Sequence, residues 1–271
     1  MTRSAEVRLI KTEEEFRACE RIQQQVWGAT CASAELLTVI QKSGGVVLGA
    51  IAGREVLGFL FALLARRKGR LIQWSHMMAV RNELRDRGLG LRMKLLHRKL
   101  ALTQGISSIC WTYDPLQSRN AMLNVARLGV DVEGYVPNYY GEFPSLIERG
   151  VPSDRLIVHW RLKSRRVEQQ LNGAGSPASC SGLPRINEVR MTLGMPENAR
   201  IFWKRAEPRM ALEIPAGTDA MRACAPRLAL RWRMETRKIF QAYFAAGYRV
   251  TGFAREADPG NSRYFYVLSR R

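Results

Sequence analysis

The stretch from Arg85 to Lys94, RDRGLGLRMK, has the residue types of an anion cradle. Gly88 and Gly90 flank one leucine, so the backbone can approach a ligand there with no Cβ in between. An apolar helical pattern follows. A helix that starts at such a loop turns unpaired N–H groups and the positive end of its dipole toward whatever lies in front of it, and a pyrophosphate fits that position. Arg85, Arg87 and Arg92 add positive charge. Two glycines alone fit a plain helix start with surface arginines equally well. Two phosphate motifs are excluded: Met93 stands where a G-x-G-x-x-G fingerprint needs its third glycine, and there is no Walker lysine pattern.

Metal and disulfide chemistry find no support in the spacing. Cys19, Cys31, Cys110, Cys180 and Cys224 are far apart and form no CxxC pair, which reads as free thiols in a reducing compartment. His76, His97 and His159 lack metal-ligand spacing among themselves.

The elements that must position the loop follow from periodicity. EVRLI is a strand. TEEEFRACERIQQQVWG is a helix with Thr12 as N-cap, Glu15 as capping-box partner and Gly28 as the stop. A second helix is capped by Ser33 and ends at Gly44-Gly45. Residues 46–67 read as two strands around AGRE, and GRLIQWSHMMAV as the strand that leads into the loop. The helix after the loop shows apolar positions at Leu91, Leu95, Leu96, Leu100 and Leu102, and Gly105 ends it. ISSICWTYDP is a strand, QSRNAMLNVARLG a helix and DRLIVHWRL a strand. This order makes a mixed α/β architecture. Residues 166–188, rich in Gly, Ser, Ala, Pro and Asn, read as a linker between a domain at 1–165 and a smaller extension at 189–271. In the extension RMALEIPA is a strand, a helical stretch is interrupted near Pro226, and RVTGFARE and RYFYVLSR are strands.

The chain has 271 residues, 43 of them Lys or Arg against 24 Asp or Glu, for a formal net charge of +19. Such a balance attracts polyanions, but the basic residues are scattered and form no long arm, which reads as a solvated basic surface. Nucleic acid is therefore not the expected partner. The helix ALRWRMETRKIF has a basic face with aromatic neighbours; it reads either as an RNA contact or as an amphipathic helix lying on a sheet with snorkelling arginines. The N-terminus turns polar where a signal peptide needs an apolar core, and Arg54 and Glu55 interrupt the most apolar stretch. A soluble cytoplasmic protein with no membrane partner is the expectation.

Arg85, Gly88 and Gly90 also match the R/Q-x-x-G-x-G/A pyrophosphate loop of the GNAT superfamily of acyl-CoA N-acyltransferases, after a strand and before a helix. The element order from Val7 to Leu162 resembles that fold as well: a mixed central sheet flanked by helices, here with a smaller C-terminal α/β extension. More narrowly, the chain resembles a bacterial branch of predicted acetyltransferases with such an extension. The resemblance implies that amides from Arg87 through Leu89 to Leu91 hold the pyrophosphate of acetyl-CoA or another acyl-CoA. It implies that pantetheine lies against the strand carrying Met78 and Val80, whose N–H groups face the thioester carbonyl, and that Asn120 contacts cofactor or water. Many members carry a tyrosine four residues before the glycine that ends the next helix, as the acid for the leaving thiolate. Val125 stands there, so Tyr139 and Tyr140 become candidates for a displaced donor. His76, Asp114 and Glu142 are candidates for the base that a protonated amine requires. Trp74, Trp111 and Cys110 read as core.

The expectation is therefore an acyl-CoA-dependent N-acyltransferase that moves an acetyl or succinyl group to a small amine, an amino acid for instance, by direct attack and without metal. Two other readings remain: a CoA-binding module without turnover, consistent with Val125, and a basic nucleic-acid-associated protein. The extension would complete the sheet, cover the acceptor pocket or make a homodimer interface.

Overall fold

A computed structural model describes residues 5–28, 32–141, 150–174, 178–257 and 262–270. Two compact units emerge, one formed by the chain up to Trp111 with Arg161–Lys163, the other by most of the chain from Thr112 onward.

In the first unit β1 (Glu6–Leu9) leads into α1 (Glu13–Trp27). Thr12 and Glu15 cap α1 reciprocally, and Gly28 ends it with a left-handed φ of 75°. Ser33 caps α2 (Ala34–Lys42) through the amide of Leu36. Strands β1 to β4, with β2 at Val46–Ala52, β3 at Glu55–Arg67 and β4 at Arg70–Val80, then pair antiparallel in succession. Both faces of β2 and β3 are covered, which explains their unbroken apolar runs. Phe59 and Phe61 pack with Phe16, Ile22 and Leu37 of the first two helices. Leu48 and Leu60 pack with Leu89 and Met93 of α3 (Leu89–Thr103) on the other face. Strand β5 (Ser108–Tyr113) pairs in parallel with β4.

The buried side of α3 consists of Leu89, Met93, Lys94, His97 and Ala101, not the leucine stripe expected from periodicity; Leu95 is exposed. The leucines cover a flank, while a lysine and a histidine go inside.

The second unit begins with the last residues of β5. A short helix α4 (Ser118–Ala121) widens into a π-turn over Met122–Arg127, followed by β6 (Asp131–Val136) and β7 (Arg155–Arg161). The large sheet has the strand order β1-β2-β3-β4-β5-β7-β6. The stretch read as a linker opens on α5 (Arg165–Leu171), capped by Ser164. Beyond it lie the hairpin β8 (Asn187–Thr192) and β9 (Met195–Ile201), then β10 (Arg209–Ile214), α6 (Asp219–Cys224), α7 (Pro226–Ala245), β11 (Tyr248–Glu256) and β12 (Arg263–Arg270). The last strands form a separate antiparallel sheet in the order β10-β12-β11. Pro226 occupies the first turn of α7, where its missing N–H costs nothing, and separates α6 from α7. Helix α7 buries Ala229, Trp232, Thr236, Ile239, Phe240 and Tyr243, an amphipathic stripe at i, i+3, i+4, i+7 spacing. Trp232, Phe240 and Tyr243 are thus core, while Arg233 lies buried in the same stripe instead of snorkelling to solvent. Among the described residues no helix is long and apolar enough to cross a membrane.

Candidate functional site

Strands β4 and β5 are matched over only two pairs, Gln73 with Ile109 and Trp74 with Cys110. Strand β4 runs on for six residues beyond the last pair, to Val80. The two strands therefore make a fork. A bulge helps to open it: Phe61 faces Met77 and Ala62 faces Ser75, so His76 is the extra residue. The amide of Arg81 donates to the Leu57 carbonyl at 3.0 Å, toward β3. Alternation along the strand then turns the amides of Val80 and Met78 to the opposite edge, the side on which β5 lies.

Past β4 the chain makes one turn of 3₁₀ helix at Asn82–Leu84 and two left-handed residues, Asp86 (φ 63°) and Gly88 (φ 77°). Gly88 is the N-cap of α3 and supplies no side-chain acceptor. The first intrahelical bond runs from the Arg92 amide to the Gly88 carbonyl at 3.0 Å, so helix geometry leaves the amides of Leu89, Gly90 and Leu91 without intrahelical acceptors. Arg87 and Gly88 are exposed, so this end of the dipole faces solvent. Arg85 Nε reaches back to the Val80 carbonyl at 3.4 Å, and Arg92 Nη2 donates to the Ala5 carbonyl at 2.6 Å. The arginines thus brace the loop from both sides.

His76 reaches solvent from the bulge, with its ring centroid 5.4 Å from that of Phe61. Partial burial lowers its pKa below the usual 6.5. A neutral imidazole at neutral pH follows, as a proton acceptor needs.

The other candidates belong to the second unit. Asp114 is buried and accepts 2.7 Å bonds from Arg222 Nη2 and Arg233 Nη2. Burial on its own would raise its pKa, but Arg233 first and then Arg222 and Arg155 outweigh that and hold the carboxyl well below the usual range. Its free oxygen, Oδ1, takes the amide of Leu116 and closes the Asp-Pro turn. This is a structural counter-ion with little affinity for a proton. Glu142 lies outside the described residues. Tyr139 and Tyr140 sit together in the turn after β6, ring centroids 4.8 Å apart and each a little over a third exposed. The Tyr140 hydroxyl is 3.2 Å from Thr112 Oγ1, and the Arg155 guanidinium lies over its ring at 5.2 Å. Buried Asp154 holds the turn: it accepts from Tyr135 Oη at 2.6 Å, from the Asn138 amide at 2.9 Å and from Arg237 Nε and Nη2 at 2.8 and 2.6 Å. Asn120 is exposed on α4, and Val125 is buried in the π-turn. Trp111 and Cys110 are buried.

One buried charge was not legible in the sequence. Lys94 is only 2% exposed, donates to Ser75 Oγ at 3.0 Å, and places Nζ 3.6 Å from the centroid of the Trp111 ring. Burial lowers its pKa to about 7. Its position in a leucine-rich helix with many basic residues gave no hint of this. Among the described residues no group of three or more His, Cys, Asp and Glu could hold a metal ion.

No protein-family model and no curated protein matches this chain. Solved structures do. The yncA protein of Salmonella typhimurium, solved with its cofactor acetyl-CoA, is 16% identical, and the match covers 60% of this chain and 96% of that one with a TM-score of 0.50. An acetyltransferase of the GNAT family from Streptococcus pneumoniae matches at 13% identity over 57% and 97% of the two chains, TM-score 0.47. The ribosomal-protein-S18-alanine N-acetyltransferase of Escherichia coli matches at 14% identity over 59% and 95%, TM-score 0.47. The matches take up nearly all of each neighbour and leave about two-fifths of this chain outside. Over about three-fifths of its length, this chain has the GNAT fold.

Proposed function

We propose that the protein is an acyl-CoA-dependent N-acyltransferase that acts on a small amine. The observation that carries this reading is the fork between β4 and β5, with the glycine-started helix α3 directly after β4. The amides of Leu89, Gly90 and Leu91 suit a pyrophosphate, with Arg85 and Arg87 nearby as counter-charges. Pantetheine would lie along the free edge of β4, bonding to it as an added strand does. Amides of Met78 and Val80 then suit the thioester carbonyl and the oxyanion that forms on it. His76 would take a proton from the attacking amine, whose nitrogen then displaces the CoA thiolate without a covalent enzyme intermediate. Asp114 has no part in proton transfer, because its two arginines keep it ionised.

The acyl group is acetyl or succinyl, and the acceptor an amino acid or a similar small amine; the strongly basic chain favours an anionic group on one of them. The test has two steps. Titration calorimetry with acetyl-CoA and succinyl-CoA should give saturable binding, and release of free CoA over a panel of amino acids and polyamines should identify the acceptor. Binding without release for every acceptor would favour a CoA-binding module. Absence of binding would overturn the reading.

A further inference from the structure

Val125, at the position where the resemblance to the GNAT superfamily implies a proton donor for the leaving thiolate, is buried and carries no proton. Buried phenols in the second unit are poor substitutes: burial pushes Tyr113 and Tyr135 well above the ordinary tyrosine range, and Tyr266 likewise. A buried lysine stands at the root of the fork. Ser75 and Trp111 are the residues immediately after the last β4–β5 pair, one on each strand, and Lys94 Nζ touches both. Ser75 and Trp111 are each only 5% exposed, so the contact is dry. A lysine this deep normally has a carboxylate beside it; none bonds to Lys94 among the described residues. Its one oriented hydrogen bond goes to the Ser75 hydroxyl, which lies next to the bulge at His76.

We propose that Lys94, acting through the Ser75 hydroxyl, supplies the proton to the departing CoA thiolate. The proposal rests on the acyl-CoA reading of the fork. As the tetrahedral intermediate collapses, the C–S bond breaks and its electron pair stays on sulfur. The Ser75 hydroxyl gives its proton to that sulfur while a proton of the Lys94 ammonium passes to Ser75 Oγ. Lys94 is left as a neutral amine and is reprotonated by the same path, through the Ser75 hydroxyl, once CoA has left the fork, and the proton of the attacking amine leaves separately through His76.

The surroundings of Lys94 suit such a cycle. On its own helix His97 is fully buried; burial, and then the charge of Lys94, hold its pKa well below 6.5, so it stays neutral. His97 Nε2 contacts Gln73 Oε1, which fixes the ring beside β4. From β3, Arg67 Nη1 reaches Cys110 Sγ at 3.6 Å, next to Trp111. On β4 the nearest titratable group is His76. With no carboxylate bonded to the ammonium among the described residues, Lys94 with a pKa of about 7 can give up and regain a proton near neutrality.

Lys94→Met, Lys94→Arg and Ser75→Ala test the assignment. In Lys94→Met and Ser75→Ala, kcat should fall about 100-fold while acetyl-CoA affinity by calorimetry stays within about threefold. The wild-type decline of kcat above pH of about 7 should vanish in Lys94→Met. Lys94→Arg keeps the charge but cannot release a proton, so it should be as slow as the methionine variant. Recovery of kcat by arginine, or a rise in KM with kcat intact, would show a purely positioning role and overturn the proposal. Ser75→Ala leaves the buried lysine in place and gives the answer if Lys94→Met does not fold. Wild-type protein that binds no acyl-CoA would remove the underlying reading; wild-type turnover in all three variants would remove only this proposal.

Discussion

Arg233 Nη2 donates to Asp114 Oδ2 across 2.7 Å, with Arg233 1% exposed and Asp114 8%. Arg222 Nη2 reaches the same oxygen at the same distance. Two guanidiniums from α6 and α7 thus converge on one carboxylate at the end of β5. The extension helices are fixed to this unit by charge pairing as well as by the apolar stripe of α7. Asp114→Ala would leave two buried cations without their anion, and breaking such a pair from one side costs about 3–5 kcal/mol. Chemical denaturation followed by circular dichroism should show that loss. An unchanged midpoint would mean that the pair is solvated.

Acid should act on the same contact. The folded pKa of Asp114 is lowered, so its contribution to stability is complete above the unfolded value of about 3.8 and is lost as pH falls through the folded one. Wild-type stability should therefore drop below pH of about 4. The slope there should be shallower in Asp114→Asn, which carries no titrating carboxyl, once both are corrected to the same neutral-pH value.

Gly88 holds a φ of 77° with nothing within 4 Å of where a Cβ would stand. Alanine there meets no clash, so its cost is the left-handed backbone itself, about 1–2 kcal/mol. Relief of that strain would swing the amides of Leu89 and Gly90. Gly88→Ala combined with Gly90→Ala should weaken acetyl-CoA binding at least tenfold by calorimetry. Gly88→Asn, which visits the left-handed region more readily, should bind closer to wild type. Equal affinity in all of them would place the pyrophosphate elsewhere.

The Thr12–Glu15 capping box satisfies orphan amides at the start of α1, and Glu15 also bonds Arg8 Nη2 at 2.6 Å. Thr12→Ala should cost about 1 kcal/mol in urea denaturation. Acyl-CoA affinity should not change, because α1 packs on the face of the sheet away from α3.

What the sequence revealed follows from which signals are local. The capping box, Gly28, the Ser33 cap and Pro226 act within a few residues, and each element they bound was legible. Strand β6 was not, because a bulge between Val132 and Gly134 breaks its alternation. The β8–β9 hairpin turns at Leu193 and Gly194, with φ of 50° and 75°, where leucine replaces the asparagine or aspartate that normally marks such a turn. In α3 the leucine repeat marked the helix, and Leu96 and Leu100 pack against the core, but only tertiary structure places Lys94 and His97 against β4. For the site, the glycine loop was readable as a motif, whereas the roles of Asp114 and Lys94 depend on partners 108 and 19 residues away.

His76 sets the remaining prediction. Its pKa lies below 6.5 because of partial burial, so a base at this position is protonated only in acid. kcat/KM for the amine should rise with pH on the acid side of 6.5, ahead of the fall above about 7 that Lys94 imposes, in a buffer where the acceptor's own ionisation has been measured and divided out. His76→Ala should lose that limb and fall by about 10²–10⁴-fold, the usual contribution of a positioned base. His76→Gln keeps the ring-sized polar contact on Phe61 without a titrating nitrogen and should behave like alanine in rate but like wild type in stability. If the acid limb persists in both variants, the amine loses its proton by another route and His76 serves only to shape the bulge that opens the fork.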